Sequence, residues 1–179
     1  MPVSLGEATS QGTTALFVFE ATWGHAYTLV DATKSTQTRF YVLGHLATET
    51  EDGLCRVTTS AARHGWGPLL YDIAMAHTTD RGLALCSDRI TVSSGAYRVW
   101  EYYLGRRTDV EALECPRNAR HTRDKTDPVL NHAFKLRIQP EAFAEMVDLG
   151  EELLKRLGKT KGDVVVAGGR YFETRRPVY

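Results

Sequence analysis

Val57-Thr58-Thr59-Ser60-Ala61-Ala62-Arg63-His64-Gly65-Trp66-Gly67-Pro68-Leu69-Leu70-Tyr71-Asp72 is the stretch on which the reading of this chain turns. A β-branched run feeds a turn with two glycines, and the turn opens into a helical apolar pattern. Strand, Gly-x-Gly, helix is a layout that brings main-chain N–H groups together where an anion can sit. Glycine permits close backbone approach and positive φ. Pro68 suits the first helical turn, where its missing N–H costs nothing. The same spacing also serves a tight strand–helix turn with no ligand, and the residues alone leave both readings open.

Upstream, apolar runs at residues 16–20, 27–30, 39–43 and 55–59 read as strands. Polar turns separate them, and short connections imply antiparallel neighbours. Downstream of Pro68, Leu69, Leu70, Ile73, Ala74 and Ala76 keep helical spacing until Arg81-Gly82, where a glycine past the last turn is a stop signal. Residues 83–86 read as a short buried strand. Ser93 is a plausible N-cap for a second helix, with Ala96, Val99, Trp100 and Tyr103 on one stripe. Residues 109–113 and 133–138 add strands. Pro140 starts an amphipathic helix carrying Phe143, Met146, Val147, Leu149, Leu153, Leu154 and Leu157, and Gly158 ends it. Residues 164–166 read as a last strand and 167–170 as a turn.

Residues 1–12, polar and rich in small side chains, predict a flexible arm, and 13–179 a single domain. Strands first, then alternating strands and helices, predict an α+β fold. Its mixed, mostly antiparallel central sheet is flanked by helices, with an added C-terminal amphipathic helix. The parallel part is the strand before Gly65 and the strand at Leu83, joined by a right-handed crossover.

The 179 residues are 42% hydrophobic and 25% charged, with zero formal net charge. That balance argues against a general polyanion binder, though not against a local basic patch. No apolar run approaches the roughly 20 residues of a membrane span, so no membrane partner is expected. The N-terminus lacks the pattern of a secretory signal. Cys55, Cys86 and Cys115 are widely spaced and odd in number, which fits free thiols in a reducing cytosol. Neither C-x-x-C nor H-x-x-x-H occurs, and no metal site is expected.

The residues quoted above resemble a Gcn5-related N-acetyltransferase (GNAT). That family carries an R/Q-x-x-G-x-G/A loop between a central strand and a helix, and 62–67 overlays it, with Ala62 at the first position and Arg63 one place late. Ser93-x-x-Ala96-x-x-Val99-Trp100-x-x-Tyr103 resembles the family's N-x-x-A-x-x-L-Y helix, with Ser93 for Asn and Trp100 for Tyr. The likeness covers about residues 14–138, with 139–179 as an extension. It is similar to GNAT-like proteins of tailed bacteriophages, some of them labelled antirestriction proteins.

The resemblance implies acetyl-coenzyme A (acetyl-CoA) as cofactor and an amine as acceptor, on a protein, a small molecule or a nucleobase. Cytoplasmic placement follows, in the host or in a virion if the chain is phage-encoded, with a host or phage protein as partner. A catalytically degenerate binding protein and a DNA-modifying or antirestriction factor are the rival implications.

Such an enzyme needs an amide nest for the pyrophosphate, a donor for the developing oxyanion and a base that keeps the amine neutral. The nest falls on the backbones of His64, Gly65, Trp66, Gly67 and Leu69. Arg63 and Ser93 are the adjoining coenzyme contacts. The oxyanion donor falls on Thr58 or Thr59. Glu51, in a cluster with His45, Glu49 and Asp52, is the candidate base; a solvated charged hairpin is the plainer reading. Tyr103, three residues past Trp100 on nearly the same face, is the candidate general acid, against a core role beside Trp100. His64 also reads as a polar turn residue. Arg98, Arg106 and Arg107 read as phosphate contacts or a solvated face. Arg117, Arg120, Arg123 and Lys125 form a basic loop suited to nucleic acid or to plain solvation. The 140–157 helix is core cover or a homodimer face.

Overall fold

The computed structural model describes residues 2–88, 92–115, 127–137 and 140–175. Strands β1 (Thr14–Ala21), β2 (Gly24–Asp31), β3 (Tyr41–Glu51) and β4 (Leu54–Ala62) form an antiparallel meander. Helix α2 (Gly67–Asp80) crosses over to β5 (Ala84–Cys86), which pairs parallel with β4. Helix α3 (Ser94–Arg106) leads to β6 (Val110–Glu114), and β7 (His132–Leu136) inserts antiparallel between β5 and β6. The result is an α+β fold with a seven-stranded, mostly antiparallel sheet in the order β1-β2-β3-β4-β5-β7-β6. Helices α1 (Leu5–Ser10), α4 (Pro140–Leu157) and α5 (Lys161–Arg175) complete the described elements.

Strand alternation splits the core into two layers. Leu16, Tyr27, Leu29, Leu46 and Val57 join Leu69, Leu70, Ile73, Trp100, Tyr103 and Met146 in one. Ala15, Phe17, Val30 and Val42 lie with Leu153, Leu154, Leu157 and Val164 in the other. Helix α4 therefore contributes to both layers, and it rides along the edge strand β1. At Gly150 a Cβ would stand 2.8 Å from the Leu16 carbonyl oxygen, so only glycine allows this approach. Covering β1 protects a sheet edge that would otherwise be open to pairing. The apolar stripe of α4 is spent on the core.

Two expectations need correction. Residues 5–10 are helical where composition predicts a flexible arm. Ser4 and Glu7 form a reciprocal capping box, Ala8 is buried, and Val3 N donates to Gly65 O at 2.9 Å. Local capping and one buried methyl outweigh the polar composition. Residues 164–166 are helical rather than a strand, and 167–170 continue that helix. Thr160 and Asp163 start α5: the Thr160 amide and hydroxyl donate to Asp163 Oδ2 at 2.8 and 2.9 Å, and Asp163 N donates back at 3.4 Å. Packing of Val164 and Gly168 against the sheet then overrides the β preference of three valines.

The basic loop with Arg117, Arg120, Arg123 and Lys125 lies outside the described residues. Among the described residues, no helix is long and apolar enough to cross a membrane.

Candidate functional site

Parallel pairing of β4 and β5 is brief. Leu54, Cys55 and Arg56 face Ala84, Leu85 and Cys86, and there β5 ends. From Val57 to Ala62, β4 runs on with β3 as its one paired neighbour among the described residues. The register with β3 slips along this stretch: Thr48 faces Val57 while Ala47 faces Thr59, so Thr58 is an inserted residue. Its hydroxyl donates to Ala47 O at 3.2 Å. Bulges of this kind bend a strand and free its local backbone. Ser87, just past β5, has a buried hydroxyl with no partner among the described residues.

The chain then turns through residues 63–66. Arg63 N donates to Leu43 O at 2.8 Å, Trp66 N to Arg63 O at 3.0 Å and Leu70 N to Trp66 O at 3.2 Å. Gly65 sits at φ +87°, where a side chain is strained. Trp66 caps α2 without a side-chain hydrogen bond, and Pro68 follows in the first turn. Among the described residues, the amides of His64, Gly65, Gly67 and Leu69 have no hydrogen-bond acceptor. They lie on the turn and the first turn of α2, at its positive end.

A cleft of about 580 Å³ opens beside this turn, between the end of β4 and the N-termini of α2 and α3. Of the residues singled out from sequence, Arg63, His64, Gly65, Gly67 and Ser93 line it, and so does Arg98. Ser93 Oγ also accepts from Ala96 N at 3.2 Å as the cap of α3. Thr58 and Thr59 stand further back along β4, half-buried, and Trp66 packs half-buried against the core. The Leu69 side chain is a core residue, so its contribution to the turn is its amide. Pro2 closes part of the rim, tied down through the bond from Val3 to Gly65.

Glu51 is not brought to the cleft. It faces Leu54 at the other end of β4, and the six residues from there to Ser60 span roughly 20 Å of strand. Glu49 is likewise occupied there, by Arg56 at 2.5 Å.

Tyr103 is not brought to the cleft either. It is buried, and its hydroxyl donates to Asp72 Oδ1 at 2.6 Å. Arg107 reaches the same carboxylate at 3.1 Å and clasps Asp109 at 2.6 Å. Burial raises the Asp72 pKa, although Tyr103 and Arg107 pull it down. Burial also lifts the Tyr103 hydroxyl well above its ordinary range, and negative Asp72 lifts it further. The group thus ties α2 to α3 rather than facing a reactant.

The tyrosine that does line the cleft is Tyr71, one helical turn past Gly67. Its hydroxyl is 2.8 Å from Ser60 Oγ, another lining residue. Burial pushes the Tyr71 pKa up to about 12, with the Ser60 bond acting in the opposite direction. Tyr71 stands inside the stretch that decides the fold, yet helical spacing does not single it out. What assigns it to the cleft is the cross-element bond to Ser60.

On the other side of the turn lies a second groove, of about 480 Å³, against α5. Arg39, Arg63, Lys159 and Arg170 line it, with Asp163 as the one acid. Arg63 thus borders both spaces. Its Nε donates to Val42 O at 2.8 Å, and its guanidinium lies 4.2 Å from the Tyr41 ring centroid and 5.7 Å from that of Tyr171. The buried Tyr171 hydroxyl has no partner among the described residues. Sequence reading missed this groove because half of it comes from α5.

Comparison of the chain with family models, with curated proteins and with solved structures returned no match.

Proposed function

We propose that this chain binds acetyl-CoA and transfers the acyl group to an amine, as the GNAT resemblance implies. The observation that carries this reading is the end of β4–β5 pairing at Arg56 and Cys86, beside a turn whose amides have no acceptor among the described residues. A pantetheine arm would lie along the stretch of β4 that β5 leaves unpaired, and the amides of His64, Gly65, Gly67 and Leu69 suit a pyrophosphate. The Ser87 hydroxyl, buried and without a partner among the described residues, lies just past the end of β5, which is consistent with a polar ligand there. The basic groove at Arg63 suits the remaining negative charge of the coenzyme.

The thioester supplies an activated acyl carbon. The protein's part is to hold it still, to aim an amide at the carbonyl oxygen and to return a proton to the departing thiolate. The bulge at Thr58 offers the backbone donor. Tyr71, rather than Tyr103, is the hydroxyl placed to give the proton, relayed from Ser60. In the transfer a neutral amine would take the acyl carbon, its new C–N bond replacing the C–S bond; the amine's proton would pass to solvent, and solvent would return one to Ser60.

Thermal unfolding with acetyl-CoA tests the reading, because a ligand of the native state raises the melting temperature by mass action. The expected result is a rise that saturates with coenzyme and is lost in Gly65→Glu. No rise at millimolar coenzyme would overturn it.

A second reading is a binding protein of the same shape without turnover. The placement of Glu51 and Tyr103 away from the cleft favours it. It predicts the same thermal shift but no release of free thiol from acetyl-CoA with any panel of amines.

A further inference from the structure

We infer that Glu20, His25 and His77 form a binding site for a single divalent transition-metal ion of the zinc type. The three residues come from β1, β2 and α2, and each offers a ligand atom within 4.8 Å of the other two. Glu20 and His25 face each other across the β1–β2 hairpin, so both side chains project from the same side of the sheet. His77 meets them from α2, with Nε2 3.0 Å from Glu20 Oε1. Glu20 and His25 are five residues apart and His77 is distant in sequence, so neither C-x-x-C nor H-x-x-x-H spacing marks the group.

The surroundings are those of a held ligand set. Tyr27 Oη is 2.8 Å from His77 Nδ1, so the far nitrogen of the ring is fixed and Nε2 is the one turned to Glu20. The Tyr27 hydroxyl accepts as readily as it donates, and either tautomer of His77 is satisfied. Such anchoring of the second nitrogen is a regular companion of metal-binding histidines. Phe143 stacks on the His77 ring with centroids 5.8 Å apart, and the His25 ring stands edge-on to it at 5.2 Å.

Hydrogen bonding alone accounts for Tyr27, His77 and Glu20 as a chain. It does not account for His25. This second buried imidazole is turned to the same point, and among the described residues the one hydrogen bond of its ring is a long contact of 3.9 Å to Cys55 Sγ. Two imidazoles and a carboxylate converging on one point match the ligand chemistry of zinc, with a fourth position for water. Bonds of normal length to one tetrahedral ion would require the ligand atoms to draw in to roughly 3.3 Å apart. Glu20 is half exposed and provides the entry path. Arg81 pairs with its Oε1, while Oε2 has no partner among the described residues. The ion would fasten the β1–β2 hairpin to α2, independently of any acyl transfer.

The test uses the full chain, freed of metal by chelation, titrated with zinc by calorimetry and with cobalt(II) by absorption. The expected result is one equivalent bound at micromolar affinity or better, with the visible spectrum of tetrahedral cobalt. The melting temperature rises with zinc and falls back with EDTA. Glu20→Gln and His25→Gln each weaken binding at least tenfold, whereas Cys115→Ser and His132→Gln leave it unchanged. Glu20 is exposed, so Glu20→Gln folds even if the buried histidine variant does not, and unchanged affinity in Glu20→Gln alone overturns the inference. Absence of stoichiometric binding, or its loss in Cys115→Ser or His132→Gln, overturns it equally.

Discussion

The hydroxyl of Tyr103 donates to the carboxylate of Asp72 at 2.6 Å, across the interface of α2 and α3. A tyrosine that the GNAT resemblance offers as a general acid thus serves to satisfy a part-buried carboxylate. Removing the hydroxyl in Tyr103→Phe leaves Asp72 with Arg107 and should cost about 1–2 kcal/mol. Asp72→Ala, which strands both partners, should cost about 2–3 kcal/mol, less than for a fully buried pair because some solvent reaches the group. Urea unfolding of the two variants and their double mutant checks this, with a coupling of about 1 kcal/mol expected. Acetyl-CoA affinity should be the same in Tyr103→Phe as in the parent.

Tyr71→Phe is the complementary case. The loss of its bond to Ser60 should cost about 1 kcal/mol of stability. If Tyr71 returns the proton to the thiolate, kcat for thiol release should fall about 100-fold, with coenzyme affinity little changed. Equal kcat in the variant and the parent removes Tyr71 from the reaction.

His45 makes stability depend on acidity. It is buried against α5, 2.9 Å from Thr28 Oγ1, and burial lowers its pKa from 6.5 to about 4. Between those values the unfolded chain binds a proton that the folded chain refuses. Stability at this site is therefore complete above about pH 6.5 and declines as pH falls toward 4, by about 1.4 kcal/mol per pH unit at most. Chemical denaturation across that window should show His45→Gln losing close to one proton from the slope, and an unchanged slope contradicts the assignment.

Gly168 and Gly169 should answer differently to one methyl group. A Cβ at Gly168 would stand 2.5 Å from His45 Nδ1, whereas nothing lies within 4 Å of one at Gly169. Gly168→Ala should destabilise by about 1–3 kcal/mol through overpacking. Gly169→Ala should stabilise by up to about 1 kcal/mol, since alanine is the better helix former. Melting temperatures of the pair decide it.

Those two glycines also mark where sequence reading fails. As Ala167-Gly168-Gly169-Arg170 they look like a turn, because glycine is read for its backbone freedom. In the structure Gly168 is present for its lack of volume, a fact that depends on His45 and Thr28 in distant strands. The strand–turn–helix at residues 57–72 was legible because all its signals are local: β-branched residues, a glycine at positive φ, a proline in the first turn. The stops at Gly82 and Gly158 and the cap at Ser93 were legible for the same reason. The extents of β3 and β4 were not, since pairing carries a strand beyond its apolar centre. The candidate site divides along the same line. The turn amides follow from local sequence, but the choice between Tyr71 and Tyr103 rests on which helix face meets Ser60 and which meets Asp72.

Arg63 is a party wall. It borders the cleft on one side and the α5 groove on the other, while its guanidinium is pinned to Val42 and Tyr41. Whatever docks in one chamber leans on the same side chain that furnishes the next. Substituting Arg63 therefore disturbs two compartments at once, and the clean way to interrogate either is from its far side, at Ser93 or at Arg170.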